Sequence, residues 1–306
     1  MPYQGTSFLD GIELVDAHHH FWELDRFPYK WLAPNSGPGR FGSKATLQRD
    51  YLPETYLAEF GDLPLSASVH VQANCGADDP VDETAWIQHL SDTTGWPTAI
   101  VAEVDPLDAT AQNQIVRHAA HTALRGIRAS VTWDKARRWR NAIRPDVMSA
   151  PEFRQTLTTL EDRNLCLEIV IVPEQFSELI DLAQAHPDLK IVVNHFGTLE
   201  PEQPDNAATW RAGITRLRDI SNVYCKLSGL WTVALDWSPE VLTPFVDHLV
   251  STIGADRVMY GSNLPVEAVN CSLKKQFTQL AEILRNRRQA EIELIFSGTA
   301  RKVYRL

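Results

Sequence analysis

The chain has 306 residues, 44% of them hydrophobic and 22% charged, which excludes disorder as its main state and exceeds what one simple sandwich needs. Lysine and arginine total 29 against 39 aspartates and glutamates, a net charge of -10. The overall field therefore repels phosphate backbones and anionic lipid surfaces, so neither nucleic acid nor a membrane is an expected partner. Cys75, Cys166, Cys225 and Cys271 form no C-x-x-C pair and read as reduced, buried thiols. The opening MPYQGTSFLD carries no basic or apolar leader pattern, and no apolar run reaches the length of a membrane span. A cytoplasmic location is the default expectation.

In chain order, a first strand is expected at 12–18 (IELVDAH). It is followed by a long stretch, 21–64, rich in aromatics, Pro and Gly and without periodicity, which reads as a loop over one end of the fold. Further strands are expected at 65–72, 99–104, 124–130, 165–172, 189–196, 222–229 and 257–263. Helical patterns fall between or after them in DETAWIQHL, QNQIVRHAAHTAL, PEFRQTLTTLEDR, PEQFSELIDLAQAH, PEVLTPFVDHLVSTIG and SLKKQFTQLAEILRN. A second long insertion covers 131–150. Alternating β and α with short crossovers, and no Gly-rich dinucleotide fingerprint after the first strand, predict a single (β/α)8 TIM barrel over 1–306.

In such a barrel, polar residues at the C-terminal ends of strands point into the mouth. Asp16, His18 and His20 end strand one as D-x-H-x-H, and a period of two places all three on one face with His19 opposite. Two imidazoles on one face can share a divalent metal or a substrate oxygen; core histidines satisfied by carbonyls are the plain alternative. His195 ends strand six and supplies a third nitrogen. Asn263 ends strand eight between Gly261 and Pro265; its amide either faces the mouth or caps the next turn, and it cannot act as a base.

Arg128 ends strand four, where a guanidinium fork suits a carboxylate or lactone carbonyl. The basic island behind it (Lys135, Arg137, Arg138, Arg140, Arg144) reads mostly as a solvated face or a subunit contact. Lys226 and Ser228 end strand seven, where substrate binding competes with a buried lysine paired to Glu168, Asp16 or Glu103. His70 and Gln72 close strand two, Glu103 and Asp105 strand three, and Glu168 lies in strand five; any inward carboxylate could accept a proton. Trp22, Trp31, Trp133 and Trp139 sit in the two long loops, as packing or as a wall around a flat ligand.

The segments VDAHHHFWELDRFPYKWL, SVHVQAN, GIRAS, VVNHFG, YCKLSGL, RVMYGSNLPVE and SGTARKVYRL, in that order along nearly the whole chain, resemble the amidohydrolase-2 branch of the amidohydrolase superfamily, and within it the sugar-lactone lactonases and the 2-pyrone-4,6-dicarboxylate lactonase. The resemblance implies hydrolysis of a lactone or related cyclic ester at the C-terminal mouth of the barrel. It places His18, His20, His195, Arg128 and Asn263 in the catalytic set, with Arg128, Lys226, Ser228, Gln72 and Trp31 toward the substrate. Asn263 stands where many members have an aspartate, so the usual base is not assigned. His18, His20 and His195 are the ligands if one divalent metal such as zinc binds, and a metal-free version is equally open. The alternatives are a metal-dependent decarboxylase or hydratase of aromatic acids and a non-catalytic ligand-binding relative. The expected partner is a small anionic or polyhydroxylated molecule, with a homo-oligomer open.

Overall fold

The structure is a computed structural model that describes residues 7–235 and 237–306, so the opening segment MPYQGT lies outside the described residues. Eight strands, β1 (Leu14–His19), β2 (Leu65–Val71), β3 (Ala99–Glu103), β4 (Leu124–Ala129), β5 (Cys166–Ile169), β6 (Ile191–Val193), β7 (Val223–Leu227) and β8 (Val258–Tyr260), form one sheet in sequence order, with every neighbouring pair parallel. The expected (β/α)8 barrel is present. Helices α2 (Val81–Thr94), α3 (Ala111–His118), α4 (Pro151–Asp162), α5 (Phe176–Ala185), α8 (Pro239–Ile253) and α9 (Leu273–Ile283) fall on the six expected patterns.

Among the further helical segments, three that shape the core were not apparent from periodicity. The stretch expected as loop over 21–64 contains α1 (Pro53–Phe60), which turns Tyr56 and Phe60 into the core. Helix α6 (Pro204–Arg216) buries Trp210 and Ile214 but has a weak apolar stripe. The C-terminal α11 (Thr299–Tyr304) packs Ala300, Val303 and Tyr304 against Val15, Ala67, Ala99, Cys166 and Tyr224 of the strands. It therefore seals the end of the barrel opposite the strand C-termini. All four cysteines are buried and unpaired, and no described helix is long and apolar enough to cross a membrane.

Closure of the ring corrects the reading of D-x-H-x-H. Strand β1 carries an extra residue against β2, since Asp16 pairs with Ser68 but His19 pairs with His70. This bulge breaks the period of two. Val15 and Ala17 belong to the inner cluster, so Asp16 faces outward, away from His18 and His20. Its buried carboxylate accepts from the Ser262 amide (2.8 Å) and hydroxyl (2.6 Å) beyond β8, from the Tyr56 hydroxyl (2.9 Å) on α1, and from the His18 amide (3.1 Å). Alongside it the Asn263 amide donates to the His18 carbonyl at 2.7 Å and the His20 amide to the Leu264 carbonyl at 2.8 Å. The β1–β8 seam thus hangs on one carboxylate, whose burial pushes its pKa up to about 6 against the pull of its own donors.

Removing that acceptor strands buried donors. Asp16→Ala should lower the free energy of unfolding by about 3 kcal/mol, and Tyr56→Phe by about 1 kcal/mol. Urea melts at neutral pH check both; a loss under about 0.5 kcal/mol for Asp16→Ala would show that the seam does not need the carboxylate.

Candidate active site

His18, His20 and His195 meet at the mouth. The ring centroids of His18 lie 5.0 Å from His20 and 4.7 Å from His195. Two glycines make room: a Cβ on Gly261 would stand 2.7 Å from the His18 Cβ, and one on Gly229 would stand 2.3 Å from His195 Nδ1. Gly229 also has φ +65°, and His195 and Phe196 themselves adopt φ of 52° and 55°. Such left-handed backbone costs a residue with a side chain about 1 kcal/mol or more, a cost found most often where a side chain must be aimed.

The protons on the imidazoles follow from their neighbours. His18 Nδ1 lies 3.3 Å from Lys226 Nζ, which also donates to both oxygens of Glu168 at 2.8 and 2.7 Å. Tyr304 donates to Glu168 from below. An ammonium has only donors, so Nδ1 of His18 accepts and its proton sits on Nε2. His20 is the reverse: Nδ1 donates to the Val71 carbonyl at 2.6 Å, which leaves Nε2 as a bare acceptor. His195 rests its Nδ1 against Ser228 Oγ at 3.3 Å. All three are neutral near pH 7. Burial is the largest cause, aided at His18 by Lys226 and at His20 by Arg128; His195 falls to about 3 through burial, Arg128 and Lys226.

A cavity of about 370 Å³ opens over His20 and His195, while His18 is fully buried and off its wall. His20, His195, Arg128, Asn263, Trp31 and Thr232 line it, together with Arg40 and Lys44 from the first long loop and Trp139 and Arg140 from the second. Cation–π stacking joins the loops, with Arg40 4.0 Å from the Trp139 ring centroid, and braces the second loop internally, with Arg140 3.6 Å from that of Trp133. Arg40, Lys44, Arg128 and Arg140 are thus on the wall, and no described Asp or Glu is. Of the basic island only Arg140 joins this wall; Arg138 pairs with Glu200 at 2.8 Å, and Lys135, Arg137 and Arg144 are exposed.

Other expected site residues stand one layer back. Gln72 offers its backbone carbonyl to Arg128 Nη2 at 2.6 Å, while its side chain turns to Asn74. Lys226 and Ser228 hold His18 and His195 rather than lining the cavity. Glu103 and Asp105 line a separate cavity of about 140 Å³ that shares Arg128 with the main one. His70 accepts from the Phe21 amide at 3.0 Å on the outer side of the sheet. Trp22 is fully buried.

One group went unnoticed in the sequence. Glu267, four residues after Asn263, is buried and accepts from the Trp231 amide at 2.6 Å, the Asn263 side-chain amide at 3.0 Å and the Thr232 hydroxyl. Asn263 therefore caps the turn, its carbonyl accepting from the Glu267 amide at 2.9 Å, and lines the cavity as well.

The three imidazoles do not fit a resident zinc. His18 presents a buried Nε2 without a hydrogen-bond partner, but that nitrogen carries the proton. The charges beside the rings are the cations Lys226 and Arg128, and a dication there would lack an anionic ligand. Among the described residues no group of three or more His, Cys, Asp or Glu side chains is placed to hold a metal ion.

Fold and site together define a barrel enzyme whose polar groups converge at the strand C-termini. The chain belongs to the amidohydrolase family, whose model matches residues 15–306. It is 28% identical over 312 residues to an L-fucono-1,5-lactonase of Burkholderia multivorans, covering 97% of each chain. Among solved structures it is similar to an amidohydrolase of Burkholderia multivorans with bound zinc, at 25% identity and a TM-score of 0.77, covering 96% of this chain and 99% of that one. The fold is also shared with a probable 2-pyrone-4,6-dicarboxylic acid hydrolase of Acinetobacter baumannii with citric acid bound, at 15% identity and a TM-score of 0.71, covering 96% of this chain and all of that one. The family is one of hydrolytic enzymes, and lactone hydrolysis is represented in it.

The imidazole assignment is directly measurable. Nitrogen-15 spectra at pH 7 should show His18 as the Nε2–H tautomer and His20 as the Nδ1–H tautomer. His18 as Nδ1–H would overturn the role given to Lys226.

Proposed function

We propose that this chain is a lactonase that opens a cyclic ester bearing a carboxylate, without a metal. The observation that carries this reading is the cavity wall itself, with four cationic side chains, no described carboxylate and the proton-accepting His20, whose ring lies 5.0 Å from the buried proton-donating ring of His18. An anionic substituent is held by Arg40, Lys44 or Arg140. Arg128 and the Nε2–H of His18 are the donors available to the ester carbonyl, and they stabilise the oxyanion as it forms. His20 Nε2 accepts a hydrogen bond from the attacking water and orients it. Water adds to the carbonyl carbon, the ring C–O bond breaks, and the alkoxide leaving group takes up a proton, giving a hydroxy acid that ionises in solvent.

The lactonase relative supports the reaction type, and the cationic wall supports an anionic substrate. In a pH-indicator screen of sugar lactones and of pyrone and muconate lactones, turnover should favour carboxylated rings. His18→Ala and Arg128→Ala should each lower kcat/KM at least tenfold, about 1.4 kcal/mol in the transition state, with unfolding cooperativity retained. Arg140→Met should raise KM for a carboxylated lactone several-fold and leave an uncharged lactone unaffected. Near-normal rates in both His18→Ala and Arg128→Ala, or release of CO2 in place of ring opening, would remove the lactonase reading.

A further inference from the structure

The lactonase reading leaves one chemical requirement unassigned, a group that takes the proton from water. The imidazoles are poor candidates, since a proton on His20 or His195 would sit in a buried site already facing Arg128. Asn263 cannot serve, because a carboxamide has no basic lone pair at neutral pH. Glu168 is closed off by Lys226 and Tyr304.

The geometry points to Glu267 as the terminal proton acceptor, reached from the cavity through the Thr232 hydroxyl. Thr232 lines the cavity and donates its hydroxyl proton to Glu267 Oε2. Asn263 Nδ2 bonds to Thr232 Oγ1 at 3.1 Å and to the same Glu267 oxygen at 3.0 Å, which fixes both partners. A hydroxyl accepts twice and donates once, so Thr232 Oγ1 retains a lone pair for a proton arriving from water. As water attacks the ester carbon, its proton moves to Thr232 Oγ1 while the Thr232 proton moves to Glu267. On cleavage of the ring C–O bond the chain runs backward and the alkoxide takes the proton. Threonine is unchanged at the end, and no electron donor or further reactant is needed.

The surroundings of Glu267 suit this work. It meets the Trp231 amide and Thr232 hydroxyl from the short helix α7 (Leu230–Val233), and Asn263 from the exit of β8. The other titratable group beside it is the Cys271 thiol, which burial holds at about 12 and so keeps neutral. Among the described residues no cation forms an ion pair with it, and burial pushes the Glu267 carboxyl up to about 7 despite its donors. A base with affinity near the working pH is the efficient one for proton transfer. The inference rests on the lactonase reading, and the wild-type screen is its first stage.

With a lactone that the wild type turns over, Glu267→Gln should lower kcat at least 100-fold with KM within about threefold. It should also abolish an alkaline-rising limb of the kcat profile centred near pH 7. Thr232→Val, which removes the hydroxyl but keeps the shape, should reproduce the loss, and Thr232→Ser should restore most of the rate. Thr232→Val carries the test should Glu267→Gln fail to fold. Wild-type turnover with an unchanged pH limb in Glu267→Gln or in Thr232→Val would overturn the relay while leaving the lactonase standing. Absence of turnover with every lactone would overturn both. A purely structural Glu267 would lower stability without moving the pH limb.

Discussion

The barrel closes on a buried carboxylate that does not line the cavity. Asp16 gathers the Ser262 amide and hydroxyl, the Tyr56 hydroxyl and the His18 amide, and in doing so fixes β8 to β1 at the height where the site is built. Because β8 is short and its exit runs through Asn263 and Leu264, the ladder that completes the ring is made of the same residues that face the cavity. A parallel barrel has no free edge only if this last seam holds. The bulge beside Asp16 allows Ala17 and His18 both to face inward, so the position of the first imidazole is a consequence of how the ring is closed.

Below the cavity, polar groups run along the barrel in a fixed order, from Tyr304 to Glu168 to Lys226 to His18. Burying an ion pair so completely is a net cost unless its hydrogen bonds are satisfied. Here each oxygen of Glu168 has a donor, and the ammonium uses its remaining donor capacity on an imidazole. The result is a histidine locked as a proton donor, beside another locked as an acceptor by the Val71 carbonyl. Above them Arg40, Lys44, Arg128 and Arg140 surround an opening without carboxylates, although the whole chain carries a net charge of -10. The local field at the mouth is therefore opposite in sign to the global one.

Eight strands, six of the helices and the meeting of His18, His20 and His195 with Arg128 were legible in the chain. Each depends on short-range regularity: apolar runs of strand length, Pro at a first helical turn, and the rule that strand ends face the mouth. Helix α1 was hidden inside an aromatic-rich loop, and α6 by its weak stripe. Asp16 was misplaced because period two assumes an unbroken ladder. Gln72, Lys226 and Ser228, expected toward the substrate, stand behind the cavity wall, and their side chains serve Asn74, Glu168 with His18, and His195 respectively. Glu267 stood in plain view four residues past Asn263, yet nothing in its spacing distinguished it from a surface carboxylate.

The sequence by itself determined the barrel, the end at which chemistry is placed and the residue types available there, since these follow from patterns repeated within a few residues. Only the tertiary structure decided which nitrogen of His18 and of His20 carries its proton, which carboxylate is buried against the cavity wall and which cations share that wall. Those properties arise from contacts between residues far apart in the chain, such as Lys226 with His18 or Arg40 with Trp139. A side chain's charge and protonation depend on the dielectric and partners that folding assembles around it, and no local pattern encodes either.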